Sequence, residues 1–159
     1  MSAPTVRVAG PADARAVARS LRAFNLEFDD PAPDEDWLTD RLATLLLDDT
    51  VVLVTERPDD DLPAAFALMR LRPSLWDDAD EAYLAELYVR PELRGQGLGR
   101  ALLLATVDEA VRRGATYMDL TTTNRDEAAV ALYESVGFDR HERRGDGTDS
   151  YYFELDLPR

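Results

Sequence analysis

An α+β fold, with a central mixed but mostly antiparallel sheet of about seven strands flanked by about four helices, is what this 159-residue chain predicts. Three observations carry that reading. Short β-rich runs recur from one end to the other, and several follow one another with only turn residues between them. Apolar stripes at helical spacing fall between the other runs. One strand passes through a glycine-rich turn straight into a leucine-rich helix, the segment Val89-Arg90-Pro91-Glu92-Leu93-Arg94-Gly95-Gln96-Gly97-Leu98-Gly99-Arg100.

The elements follow in order. Thr5 to Ala9 alternates as a short strand, and Pro11-Ala12-Asp13 opens a helix whose buried stripe is Ala14, Val17, Ala18, Leu21 and Phe24. Pro31 and Pro33 interrupt the chain before a second helix, about Asp34 to Leu47, with Trp37, Leu38, Leu42, Leu45 and Leu46 on its apolar side. Thr50 to Glu56 and Ala64 to Leu71 are strands joined by a turn over Arg57 to Asp61. Ala82 to Arg90 is the central strand. Gly97 to Arg113 is the helix after the glycine turn, stopped by Gly114. Thr116 to Thr122 is a strand and Asp126 to Ser135 a helix. Phe138 to Arg143 and Ser150 to Leu157 make a closing antiparallel pair around Gly145-Asp146-Gly147.

Composition narrows the class. The length fits one domain, residues 1 to 159, and the apolar share of 45% is enough for a real core. No apolar run reaches membrane length and no basic-then-apolar segment opens the chain, so a soluble, cytoplasmic protein without a membrane partner is expected. A net charge of −14 argues against nucleic acid as partner, because phosphate backbones need a concentrated positive face. With no cysteine there is neither a disulfide nor a thiol nucleophile. The lone histidine, His141, lies in a charged stretch and reads as a solvated surface residue, so no metal site is expected. The final run Ser150-Tyr151-Tyr152-Phe153-Glu154-Leu155 reads as an edge strand, whose pairing with a second copy would make a homodimer.

The glycine turn suits an anion. Glycine reaches positive φ without a Cβ penalty, so Gly95, Gly97 and Gly99 let a ligand lie against the main chain. Unpaired amides at the start of the next helix then point at it, from Gly95 through Gln96, Gly97, Leu98 and Gly99, with Arg94 and Arg100 flanking. Two familiar phosphate loops do not fit. A Walker loop needs a lysine and this chain has none; a dinucleotide fingerprint needs G-x-G-x-x-G, whereas these glycines are spaced by two.

Arg94-x-x-Gly97-x-Gly99, after a strand ending in Val-Arg-Pro, resembles the acyl-CoA-binding motif of the GNAT superfamily of N-acetyltransferases. Ala128-Ala129-Val130-Ala131-Leu132-Tyr133-Glu134-Ser135-Val136-Gly137-Phe138 is similar to that superfamily's second signature, a helix ending in tyrosine followed by Gly-Phe. The resemblance implies acetyl-CoA as co-substrate, with its pyrophosphate on the loop and a sheet splayed where it enters. It implies main-chain amides at Leu87, Tyr88 and Val89 as donors to the oxyanion and as partners of the pantetheine arm. An asparagine often precedes the helix tyrosine by seven residues in that family. Here the position is Asp126, an N-cap by chemistry, with Asn124 two residues earlier as the other pantetheine contact.

Acetyl transfer to an amine needs a base, since an aliphatic ammonium has a pKa of about 10. Glu86, an acid inside the apolar run Leu84-Ala85-Glu86-Leu87-Tyr88-Val89, is the candidate, because burial raises a carboxylate toward neutrality. An outward-facing acid paired with Arg70 or Arg90 is the structural alternative. Tyr133 matches the family tyrosine and can return a proton to the CoA thiolate, or serve as a core aromatic beside Phe138. Between Glu27 and Asp40 lie seven acids and no base, among them Glu27, Asp29 and Asp30; they read as a solvated face or as a wall that draws a cationic acceptor. Phe24 to Asp30 is also similar to the same region of aminoglycoside 3-N-acetyltransferases. A small, cationic primary amine is the expected acceptor; a peptide or protein N-terminus and a non-catalytic acyl-CoA sensor are the alternatives.

Overall fold

The computed structural model describes residues 5–57, 60–142, 148–149 and 151–158, which fall into two compact units divided after Leu120. The first unit is built on five strands in the order β1-β2-β3-β4-β5: β1 (Val6–Val8), β2 (Thr50–Thr55), β3 (Ala65–Pro73), β4 (Asp80–Val89) and β5 (Ala115–Leu120). The first four pair antiparallel. β4 and β5 run parallel, as they must when a helix carries the chain back across the sheet. The α+β class and the mixed, mostly antiparallel sheet match the sequence reading, but the sheet has five strands rather than about seven.

Three helices cover this sheet on both faces. α1 (Ala14–Glu27) and α2 (Glu35–Leu45) place Ala14, Val17, Ala18 and Leu42 against Val52, Val54, Phe66, Leu68 and Tyr88. α3 (Leu98–Arg112) packs on β2 to β5 with Leu102, Leu103 and Thr106 fully buried, opposite alternate strand residues such as Leu53, Ala67 and Met69. Covering both faces explains why β2 is buried at every position instead of alternating. Trp37, expected on the buried stripe of α2, is 55% exposed, because Leu42 and the half-buried Leu38 already fill that contact.

β4 does not run regularly. Glu86 pairs with Leu68 and Leu84 with Met69, so Ala85 is an extra residue with no partner on β3. The bulge changes which way the strand faces. In an unbroken strand Ala82, Leu84, Glu86 and Tyr88 would share one side. Instead Ala82 and Leu84 stay with Met69, while Glu86 and Tyr88 join Phe66 and Leu68 on the α1 and α2 side.

The second unit holds α4 (Glu127–Val136) and a two-residue pair, β6 (His141–Glu142) with β7 (Thr148–Asp149). Residues 151–158, expected as a closing strand, have no regular structure, and Tyr151, Tyr152, Phe153, Leu155 and Leu157 are all exposed. Alternation gives a strand its propensity, but a strand forms only where a regular ladder completes it. The turn at Gly145-Asp146-Gly147 lies outside the described residues. His141 is not simply solvated: its ring nitrogen and its amide both bond the Asp139 carboxylate, at 3.0 and 2.9 Å.

Two helices end alike. At α4 the Phe138 amide donates to the Tyr133 carbonyl and the Gly137 amide to that of Glu134, with Gly137 at φ +104°. The rings of Tyr133 and Phe138 meet edge to face at 5.8 Å. That is a Schellman cap with its hydrophobic contact, and it accounts physically for the tyrosine-to-Gly-Phe spacing in the sequence. At α1 the Asp30 amide donates to the Asn25 carbonyl and the Asp29 amide to that of Leu26, but the left-handed position is Asp29, at φ +57°. A side chain with a Cβ costs about 1 kcal/mol there relative to glycine. Asp29→Gly should therefore stabilise the protein by up to that amount, which a denaturant melt measures as a higher midpoint at unchanged slope.

Candidate functional site

The loop between β4 and α3 has the backbone the sequence anticipates. Gly95 and Gly97 sit at φ +75° and +80°, so a substituted residue at either would be strained. Gly99 differs: it lies within the first turn of α3. Among the described residues, the amides of Gly97, Leu98, Gly99 and Arg100 donate to no protein acceptor, and the first helical bond begins with Ala101 to the Gly97 carbonyl at 3.1 Å. Four adjacent free donors at a helix N-terminus form an anion cradle that the pyrophosphate of acetyl-CoA fits chemically. Gln96 is exposed beside them, as is Arg100, which has no ion-pair partner among the described residues.

The approach to this loop is open along one side. β5 pairs with β4 only from Asp80 to Leu84, so Leu87, Tyr88 and Val89 have β3 on one edge and no ladder partner on the other among the described residues. An extended ligand can hydrogen-bond to such an edge as an added strand does. The parting of β4 from β5 coincides with the bulge at Ala85.

Two residues expected to bind different ligands pair with each other. Arg94, expected on the phosphates, forms a bidentate ion pair with Glu27 at 2.6 and 2.8 Å and donates to the Val89 carbonyl at 3.0 Å. Glu27, expected beside the acceptor, is thereby neutralised. The same guanidinium lies 5.7 Å from the centre of the Tyr88 ring, which packs on Phe24 at 5.0 Å and Phe66 at 5.8 Å. A polar and aromatic clamp thus fastens the last turn of α1 to the end of β4. No sequence signal joins residues 27 and 94.

Much of the acid-rich segment is satisfied internally. Glu35 pairs with Arg15 and Arg19, Asp36 pairs with Arg15, and Asp34 caps α2 by accepting from the Trp37 amide at 2.9 Å. Asp29 and Asp30 are exposed and carry no ion pair among the described residues.

Glu86 is half-buried on β4. Burial pushes its carboxyl above the ordinary glutamate range, and the Arg70 guanidinium pulls it part of the way back. The Tyr88 phenol is also raised, first by burial and then by the Glu27 charge. In the second unit Tyr133 is half-buried near the end of α4, and Asp126 accepts from the Ala129 amide at 3.0 Å as its N-cap. Asn124 is exposed in the tight turn closed by the Asp126 amide on the Thr123 carbonyl.

A strand-loop-helix anion cradle beside a parted sheet, with an acid of raised pKa on the central strand, is an arrangement able to hold an anionic ligand next to a proton acceptor. Comparison with known proteins gives the family: the model described as "Acetyltransferase (GNAT) family" matches residues 16–138, and the chain belongs to that family. The ribosomal protein bS18-alanine N-acetyltransferase of Escherichia coli K12 is 48% identical over 59 residues, 37% of this chain and 40% of that protein. The chain therefore spans well under half the length of that relative. The aminoglycoside N(6′)-acetyltransferase type 1 of Stenotrophomonas maltophilia is 35% identical over 147 residues, 89% of this chain and 90% of that one. Its name places its chemistry at N6′, not at N3. A crystal structure of a candidate acetyltransferase from Arthrobacter sp. FB24 superposes with a TM-score of 0.86 at 38% identity, covering 98% of this chain and 97% of that one. No helix among the described residues is long and apolar enough to cross a membrane.

The raised pKa of Glu86 has a sign that can be tested. Its folded state holds the proton more tightly than the unfolded state, so this group favours folding at low pH and loses that contribution as pH rises through its folded pKa. Glu86→Gln stays neutral throughout. It should melt above the wild type at neutral pH, with the difference closing below the ordinary glutamate range; calorimetry across that interval would show an inverted order if burial of the charge were not costly.

Proposed function

We propose that this protein transfers an acetyl group from acetyl-CoA to a primary amine of a small cationic acceptor. The observation that carries the reading is the half-buried Glu86 beside the open edge of β4, in the strand that leads to the four free amides of the loop. Acetyl-CoA supplies the acetyl group already activated as a thioester. Glu86 takes the proton from the attacking amine, directly or through water, so that the nitrogen lone pair can bond to the acetyl carbon. Amides at Leu87 to Val89 donate to the oxygen as it becomes negative. Tyr133 supplies the proton that the departing sulfur needs when the carbon–sulfur bond breaks. Asn124 and Asp126 are the proposed pantetheine contacts.

The roles within the two clusters can be sharpened by charge. The proposed phosphate contacts are the loop amides with Arg94 and Arg100, Arg94 being held in place by Glu27, and Asp29 with Asp30 attracts the acceptor. Relatives that act on an aminoglycoside amine and on a ribosomal protein alanine support an amine acceptor of either size. Asp29 and Asp30 favour the small, cationic one.

Thiol release from acetyl-CoA in the presence of a panel of amines tests the activity. Turnover should fall by about 100-fold or more in Glu86→Gln, and Tyr133→Phe should lower kcat more than KM. Tight CoA binding without thiol release for any amine would instead mark a non-catalytic acyl-CoA sensor.

The acceptor assignment has its own readout. Asp29→Asn with Asp30→Asn should raise KM for a polyamine several-fold, leave KM for acetyl-CoA unchanged, and lose its effect at high salt. An unchanged polyamine KM would return these acids to a solvated face.

A further inference from the structure

Among the described residues around Glu86, one cation carries no ion pair. On the sheet face that the bulge gives to Glu86, β3 contributes Arg70 and Arg72, β4 contributes Glu81, Tyr83 and Tyr88, and β5 contributes Tyr117 and Asp119. α1 reaches this face with Phe24 and with Glu27, which bonds Tyr88, whereas α2 meets it with Leu38, Leu42 and Ala43. Arg72 is held between Glu81 at 3.0 Å and Asp119 at 3.4 Å, and Glu27 is held by Arg94. Arg70 is exposed and forms no ion pair among the described residues. It stands two residues along β3 from Leu68, the partner of Glu86. Diagonal neighbours on one face have backbone positions about 7–8 Å apart, near enough for the charge of one to act on the other. The Arg70 charge opposes the upward push that burial gives the Glu86 carboxyl.

We propose that Arg70 is a positioning residue for proton transfer, a guanidinium with no ion pair among the described residues, whose field keeps Glu86 ionised and the bound amine neutral. The inference rests on the reading of Glu86 as the base. A half-buried carboxyl that kept its own proton near neutrality could not accept another, and a cation beside it opposes that protonation. The same field disfavours the ammonium form of an acceptor lying against Glu86, so both partners are biased toward the reactive state. The arrangement has a cost in binding. A fixed positive charge at the site weakens ground-state affinity for a cationic acceptor while raising its rate of deprotonation, and these opposite effects separate it from a structural role.

The test compares wild type, Arg70→Gln and Arg70→Lys by carbon-detected NMR titration of the Glu86 carboxyl and by kcat and KM against pH, with the fastest amine of the panel. In Arg70→Gln the Glu86 titration should move to higher pH. kcat at mildly acidic pH should fall about two- to threefold, the scale for losing one unit charge several ångströms away in water, and the deficit should narrow in alkali. KM for the cationic acceptor should fall, and Arg70→Lys should restore all three. An unmoved Glu86 titration overturns the role of Arg70 whatever the rates do. A moved titration with an unmoved rate profile shows instead that Glu86 is not the base, and the proposal falls with that reading.

Discussion

Most of the site depends on one irregularity in a hydrogen-bond ladder. A single extra residue, Ala85, sits in β4 opposite the Leu68–Met69 step of β3. It turns Glu86 away from the face of Leu84 and Met69, where α3 would have covered it, and toward the face it shares with Tyr88, Leu68 and Arg70. β4 also parts from β5 at that point, so the backbone from Leu87 to Val89 has no ladder partner on that edge among the described residues. A bulge sacrifices one rung of the ladder; here it yields both a poised acid and an open strand edge.

The chain holds the end of this strand from the side. Arg94 binds the Val89 carbonyl, both carboxylate oxygens of Glu27 and the face of Tyr88, and Tyr88 in turn stacks on Phe24 and Phe66. α1 is thereby coupled to the mouth of the glycine loop. Its last turn finishes in a left-handed Asp29, a conformation that glycine would adopt more cheaply. The carboxylate this retains is exposed and has no ion pair among the described residues, next to Asp30 in the same condition. A position that sacrifices stability while presenting charge is where the acceptor reading gains its support.

Net charge proves a poor guide to local field. The molecule carries −14, and the stretch from Glu27 to Asp40 has seven acids without a base, yet Glu27, Asp34, Glu35 and Asp36 are each committed to an arginine or a helix cap. Near Glu86, by contrast, the cation Arg70 carries no ion pair among the described residues. Salt bridges join residues such as 27 and 94 that have no sequence relation, so their pairing decides what remains to act on a ligand.

The sequence by itself determined the order of helices and strands, the positive-φ turn at Gly95 and Gly97, the free amides that follow and the Schellman spacing from Tyr133 to Phe138. Those features are set by short-range physics: glycine's φ range, helical periodicity and end-capping act within a few residues. Tertiary structure decided the rest. The Ala85 bulge, the face of Glu86, the engagement of Arg94 by Glu27 and the placement of Arg70 depend on which strand lies alongside which and in what register. The alternating run from Tyr151 to Leu157 shows the same limit from the other side, since periodicity can propose a strand but only a neighbouring strand can complete its ladder.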